Sequence, residues 1–274
     1  QKFSKSIDTN PTIPNFLQLR LGFFMLLCLF FVNIAKAQIS VVNSQTNTSY
    51  TTTVTITKPT GLAVGDLMIA NITQRKSQND ATLTDWTKLT AYKIATPNRW
   101  ATILYKVANA SDVAASNYTF TVAEATAIAG GITAFRGVNT TTTGGIEVTG
   151  TISTGNSSGP ITAFAITTKT DNALVLFLGQ ISGKGNTFTG DWTVGGNTMT
   201  EAYTVNSTEE PQAGLAYLAQ ATAGTTGDGS KAIFQANNNT RWGGILLSLK
   251  PLTTPTIGTF TDPSKTYGDV PFNI

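Results

Sequence analysis

From Gln38 to about Pro251, apolar and polar positions alternate with the period of two expected of strands whose two faces see different surroundings. Val54 and Ile56 alternate with threonines. Ile103, Tyr105 and Val107 point one way, while Thr102 and Lys106 point the other. Tyr118, Phe120 and Val122 alternate with Thr119 and Thr121. Two stretches are apolar at every position: Leu67-Met68-Ile69-Ala70 and Ala173-Leu174-Val175-Leu176-Phe177-Leu178. Such runs predict central strands covered on both faces. Turn clusters separate the strands, at Gly65-Asp66, Gly195-Gly196-Asn197 and Thr226-Gly227-Asp228-Gly229. No segment of helical period is long, and Ser111–Ala115 has room for one turn.

The strand-rich region repeats itself. Ile39-Ser40-Val41 matches Ile146-Glu147-Val148, and Asp85-Trp86-Thr87 matches Asp191-Trp192-Thr193. Tyr105 falls on Tyr217, Phe120 on Phe234, and Gly130-Gly131-Ile132 on Gly243-Gly244-Ile245. The offset stays near ~106–114 residues, the drift that small loop insertions produce. Each half holds about seven short strands, enough for a sandwich of its own or for half of a larger one. Residues 139–145 contain no Pro/Ser-type linker, and the two fully apolar strands would make a shared centre. The expected fold is all-β: one large, jelly-roll-like antiparallel β-sandwich at 38–250, internally duplicated as halves 38–142 and 143–250.

Prolines that cannot join a ladder mark residues 251–256 as a short, stiff Pro/Thr linker. Beyond it, 257–274 reads as the first strand of an Ig-like domain, broken off at Ile274. At the other end, residues 1–37 read as a leader. Arg20 precedes an apolar run from Leu21 to Ile34, and Ala35-Lys36-Ala37 supplies the small-x-small pattern for cleavage after Ala37. That run is shorter than the roughly 20 residues of a bilayer-spanning helix, so no membrane insertion is expected once the leader is removed. With no initiator methionine at Gln1, the chain is expected to be a piece of a longer, modular, secreted or cell-surface protein.

Charge and composition narrow the chemistry. The formal net charge is +3, but Lys2, Lys5, Arg20 and Lys36 against Asp8 account for all of it. The chain from Gln38 on is formally neutral and has no Lys/Arg cluster, which argues against nucleic acid as a partner. Charged residues make up only 12%, about half the usual share, and Thr, Asn, Ser and Gly fill the difference. The one cysteine, Cys28, lies inside the leader, so the exported chain has no disulfide and no thiolate nucleophile.

Histidine is absent, which removes Ser-His-Asp catalysis, imidazole acid–base steps and most zinc sites. No spacing of oxygen ligands resembles a calcium loop, and no cofactor is expected. A carboxylate pair for glycoside hydrolysis could be drawn from Asp85, Glu124, Glu147, Asp191, Glu201, Glu209 and Glu210. Asp85 and Asp191 each sit beside a Trp, where turn-forming aspartates bonding local backbone are the simpler reading. Trp86 and Trp192, at matched positions, read as core residues of the two halves. The pairs Arg99-Trp100 and Arg241-Trp242 are the candidate ligand contacts: an indole on which a sugar stacks, with an arginine beside it.

Two resemblances add to this reading. The run Gly65-Asp66-Leu67-Met68-Ile69-Ala70, then Trp86-Thr87, Tyr105-Lys106-Val107-Ala108, Tyr118-Thr119-Phe120-Thr121 and Ala134-Phe135-Arg136-Gly137-Val138, resembles a bacterial and phage surface β-sandwich domain. Met199-Thr200-Glu201 and Ala223-Gly224-Thr225-Thr226-Gly227 stand where that family's second half carries similar elements. The likeness covers most of 38–250 and implies no catalytic residue. Lys265-Thr266-Tyr267-Gly268-Asp269-Val270-Pro271-Phe272 is similar to the opening of the MBG-type Ig-like repeats of large surface proteins, including those of Bacteroidota. That likeness implies a tandem array downstream. The combined expectation is a non-catalytic, exported module for adhesion or surface display, whose partner is an extracellular glycan or a host or matrix protein. The alternative is a carbohydrate-binding domain serving a distant catalytic partner, and the third reading is a glycoside hydrolase.

Overall fold

The computed structural model describes residues 38–252 except 96–97, 157–158, 184, 206, 208–210 and 236–239. The leader and the predicted Ig-like start lie outside the described residues, which all belong to one compact unit.

The first half contributes β1 (Ser40–Ser49), β2 (Thr53–Thr57), β3 (Leu67–Arg75), β4 (Thr87–Ala95), β5 (Arg99–Val107), β6 (Asn117–Thr121) and β7 (Ala127–Arg136). A one-turn helix, α1 (Ala110–Ala114), falls on the stretch with room for a turn, started by a capping box between Asn109 and Asp112. The second half contributes β8 (Ile146–Thr149), β9 (Ser153–Gly155), β10 (Ile161–Ala163), β11 (Ala173–Ser182), β12 (Thr187–Val194), β13 (Asn197–Thr198), β14 (Thr200–Val205), β15 (Gln212–Gln220), β16 (Gly229–Phe234) and β17 (Arg241–Leu249).

All pairings within the sheets are antiparallel, and the two halves repeat one strand order. The first sheet runs β1-β7-β3-β5-β4 and the second runs β8-β17-β11-β15-β14, with β9 also on β17. The duplication read from the sequence is therefore a duplication of topology. Each half adds an outer layer: the hairpin β2-β6 in the first, and β10-β16-β12-β13 in the second. In the hairpin, Val54, Ile56, Tyr118 and Phe120 are buried while the intervening threonines face water.

Three cores separate the layers. The central core joins the halves: Leu67, Ile69, Ile103 and Phe135 meet Leu176, Leu178, Leu215 and Leu247. Behind the first sheet, Met68, Ile72, Leu104 and Trp86 pack on the hairpin. Behind the second sheet, Val175, Phe177 and Leu246 pack on Trp192 and the outer sheet. Strands β3 and β11 thus have core on both faces, as their unbroken apolar runs predicted.

The matched tryptophans fill equivalent outer cores. Trp86 meets Tyr118 and Phe120 edge-on at 5.5 and 5.2 Å, and Trp192 meets Phe177 edge-on at 4.9 Å. Two sequence matches need correction. Phe120 is fully buried against Trp86, but Phe234 is 57% exposed. The residue that meets the second tryptophan is Lys231, whose Nζ lies 4.9 Å from the Trp192 ring centroid. Burial pulls the pKa of this ammonium down, against the opposing pull of Glu201 and Asp191. The glycine pair is also out of register by one. Gly131 and Gly243 face the central core, beneath the rings of Tyr203 and Tyr92 respectively, whereas Gly130 and Gly244 face the outer cores. A slip of one residue reverses every face of a strand, so a good sequence match can pair residues on opposite sides. Asp191 also departs from expectation: it sits in β12 beside a register shift, while Asp85 is in a turn at φ 66°.

A buried polar line crosses the plane between the halves. Gln180 Nε2 donates to Asn71 Oδ1 at 2.8 Å, and Tyr92 Oη donates to Gln180 Oε1. Asn71 Nδ2 reaches the carbonyl of Gly214 at 3.2 Å, and Tyr203 Oη donates to that of Gly131 at 3.4 Å. Asn71 pairs with Gly131 across its ladder just as Gln180 pairs with Gly243, so this line lies on the approximate twofold axis. Burial pushes the Tyr92 and Tyr203 hydroxyls above the usual phenol range, and burial beside Asp112 pushes Tyr118 up to about 12.

Raised folded-state pKa values favour the neutral phenols in the fold. That stabilisation is complete below the ordinary value of 10.0 and is lost for Tyr118 as pH rises towards about 12. The domain is expected to keep its stability up to about pH 10 and to unfold above it, with tyrosinate absorbance rising together with loss of circular dichroism. Tyrosines that titrate one by one while the fold persists would contradict this.

Candidate functional site

The strands have two ends, and the sequence sends different chemistry to each. At the proximal pole the described chain begins and stops. Leu252 N donates to Gly137 O at 2.8 Å, and Asn139 N donates to Lys250 O at 2.8 Å. Gly137, at φ +83°, lies so close to Gln38 that a Cβ would stand 2.9 Å from its carbonyl oxygen. Asp66, also at this pole, takes a two-pronged pair from Arg136: Nε to Oδ1 at 3.0 Å and Nη2 to Oδ2 at 2.8 Å. The Gly-Asp-Leu and Phe-Arg-Gly-Val elements of the sequence thus meet, and they fix the pole at which the first and last described residues sit together.

The distal pole lies at the other end of strands nine and ten residues long, roughly 30 Å away. Along the faces turned to the central core, side chains grade from apolar to polar to cationic. On β3 the series is Leu67, Ile69, Asn71, Thr73, Arg75, and on β11 it is Leu174, Leu176, Leu178, Gln180, Ser182. On β17 it is Leu249, Leu247, Ile245, Gly243, Arg241.

Three arginines converge at the cationic end. Arg75 and Arg99 stand directly opposite each other in the β3-β5 ladder, and Ser182 and Arg241 do so in the β11-β17 ladder. Arg99 Nε donates to Ser182 Oγ at 2.6 Å, which ties the two halves at this rim. Arg241 Nη1 donates to Thr240 O at 3.0 Å. The side chains of all three arginines are partly exposed.

Aromatic groups gather at the same pole. Tyr50 follows the distal end of β1 and is 59% exposed; Phe234 ends β16 opposite Thr187 and is 57% exposed. Trp100 is half-buried, with Nε1 donating to Asp80 Oδ1 at 2.8 Å. Burial pushes the Asp80 carboxyl up, but hydrogen bonds from Lys88 and Trp100 and the Lys88 charge outweigh it and hold it below its ordinary value. The loops there present neutral amides, among them Gln78, whose Nε2 donates to Asn98 Oδ1 at 2.7 Å.

The sequence singled out Arg99, Trp100, Arg241 and Trp242. All four lie at the distal pole, but each pair is split, because neighbours in a strand point to opposite faces. Arg99 and Arg241 turn to the central face, Trp100 to the back of the first sheet and Trp242 to the back of the second. Trp242 is only 7% exposed, packed in the core behind the second sheet, where its ring offers no face to a ligand. Arg75, Ser182, Tyr50 and Phe234 were not singled out. The alternation of β3 and β11 carried the signal for the first two.

The proposed carboxylates have structural duties. Glu147 accepts from Lys169 N, Thr170 Oγ1 and Ser248 Oγ at 3.1, 2.9 and 3.2 Å. Glu201 accepts from Trp192 Nε1 at 2.8 Å and Lys231 Nζ at 3.4 Å. Glu209 and Glu210 lie outside the described residues. Among the described residues no three His, Cys, Asp or Glu side chains are grouped to hold a metal, and no helix is long and apolar enough to cross a membrane. Two open clefts lie near the proximal pole. One of about 440 Å³ is flanked by Glu147, Lys169 and Lys250; one of about 610 Å³ lies between β1 and β15. Comparison with protein-family models, with curated proteins and with solved structures finds no match.

Proposed function

We propose that this chain is a non-catalytic, exported module of a bacterial surface or secreted protein, and that it serves adhesion through its distal pole. The observation that carries the proposal is the separation of chemistry along the strands. The polypeptide leaves at one pole, while arginines and exposed aromatics, the residue types enriched where proteins make contacts, gather at the other. A module tethered at the proximal pole holds the distal pole outward. The leader pattern ending at Ala37, the neutral polar surface and the resemblance to surface sandwiches followed by MBG-type repeats support the same reading.

An array of extracellular glycans and matrix proteins tests it. Binding is expected for the purified chain and is expected to be lost when Tyr50 and Phe234 are both replaced by serine, with the circular dichroism unchanged. Turnover of any glycan by the unmodified chain would overturn the non-catalytic part. Secreted material whose N-terminus is not Gln38 would overturn the predicted cleavage.

A further inference from the structure

We infer that the distal pole recognises an acidic polysaccharide, one whose sugars carry carboxylates, and that Arg75, Arg99 and Arg241 are the residues that read the acid. This inference rests on the adhesive reading above and names its ligand class.

The argument starts with charge. A chain formally neutral from Gln38 on nevertheless puts three guanidinium groups at one rim of the central core. Two of them, Arg75 and Arg99, are direct cross-strand partners, an arrangement of like charges that costs stability. An anion seated among them offsets that cost. Guanidinium forks match carboxylates in shape as well as charge, with two parallel N–H···O bonds.

The surroundings favour a sugar as carrier of the acid. Thr73 Oγ1, fully buried on the same face between Asn71 and Arg75, has no hydrogen-bond partner. The rim adds Ser182 and Thr240 hydroxyls and the amides of Gln78 and Asn98, groups that both donate to and accept from sugar hydroxyls. Tyr50, Phe234 and the half-buried Trp100 supply flat apolar faces on which pyranose rings stack. Guanidinium, neutral amide and aromatic face together form a surface that fits a polymer alternating charge, hydroxyls and apolar ring faces.

The test uses the purified full chain with polygalacturonate and with the same polymer after its carboxyl groups are reduced to alcohols. Binding to the acid form alone is expected, weakened by added salt and competed by soluble galacturonate but not by galactose. Arg241→Gln is expected to weaken it about 10-fold, and Arg241→Lys less, because the charge survives and the fork is lost. Equal binding of both polymers, or binding untouched by Arg241→Gln in a folded variant, overturns the inference and leaves adhesion standing. Binding to matrix protein alone does the same. If nothing on the array binds, the adhesive reading falls with it. Should Arg241→Gln fail to fold, the comparison of the two polymers on the unmodified chain still decides.

Discussion

Replacing Trp192 with alanine is expected to destabilise the domain by about 4 kcal/mol, the middle of the range for removing a buried Phe or Trp. For a domain of this size that is a fall of roughly 10 °C in the thermal midpoint. Trp192 is 1% exposed, lies edge-on to Phe177, stacks at a tilt near Phe188, and has Lys231 over its ring. Its removal opens a cavity and leaves the Lys231 ammonium without its aromatic neighbour. The change to phenylalanine separates these contributions. Trp192→Phe keeps most of the volume but loses the bond from Nε1 to Glu201, and about 2 kcal/mol is expected. In Trp86 the indole N–H has no partner, so Trp86→Phe is expected to cost under about 1 kcal/mol. Urea unfolding followed by circular dichroism checks all three. Equal costs for the two phenylalanine variants would show that the Glu201 bond contributes nothing.

Asn71→Leu is expected to cost about 3 kcal/mol, nearly as much as an emptied aromatic site, although it replaces one side chain with another of similar volume. The loss comes from partners left dry. Gln180 Nε2 loses its acceptor and the Gly214 carbonyl loses a donor, all in a region closed to water. Gln180→Leu alone is expected to behave similarly, since it strands the Tyr92 hydroxyl as well. The double variant is expected to cost clearly less than the two singles added, because an apolar pair leaves fewer unmet groups than a broken polar one. A strictly additive double variant would argue against the Asn71–Gln180 bond. The polar line also bears on pairing: an apolar interface between two similar sheets tolerates sliding, and a buried bond on the twofold axis admits one register.

Much of the fold was legible in the sequence for a simple reason. Period-two alternation and its absence in Leu67–Ala70 and Ala173–Leu178 report directly on how many faces of a strand are covered. Internal repetition was legible too, because Trp86 and Trp192 are rare residues in matched settings. The order of strands was not, since ladders join residues far apart whose pairing leaves no local mark. Lys231 was hidden for another reason: a lysine in a short strand normally faces water, and only tertiary contacts with Trp192, Gly190 and Glu201 keep it inside. The arginines of the candidate site were half legible. Alternation alone forbids Arg99 and Trp100 from sharing a face, yet only the packing of the halves brings Arg99 to Ser182 and sets Arg241 beside it.

Gln38 and Leu252 both meet Gly137, and this has a mechanical consequence. Tension applied between those two residues would peel the edge strand β1 from β7 one rung at a time, a weak mode of resistance. Tension between a ligand held at the distal pole and Leu252 runs instead along β17, which is hydrogen-bonded to β11 on one side and to β8 and β9 on the other. Many rungs then share the pull at once. The same domain is soft when stretched by its own chain and stiff when anchored by its far end.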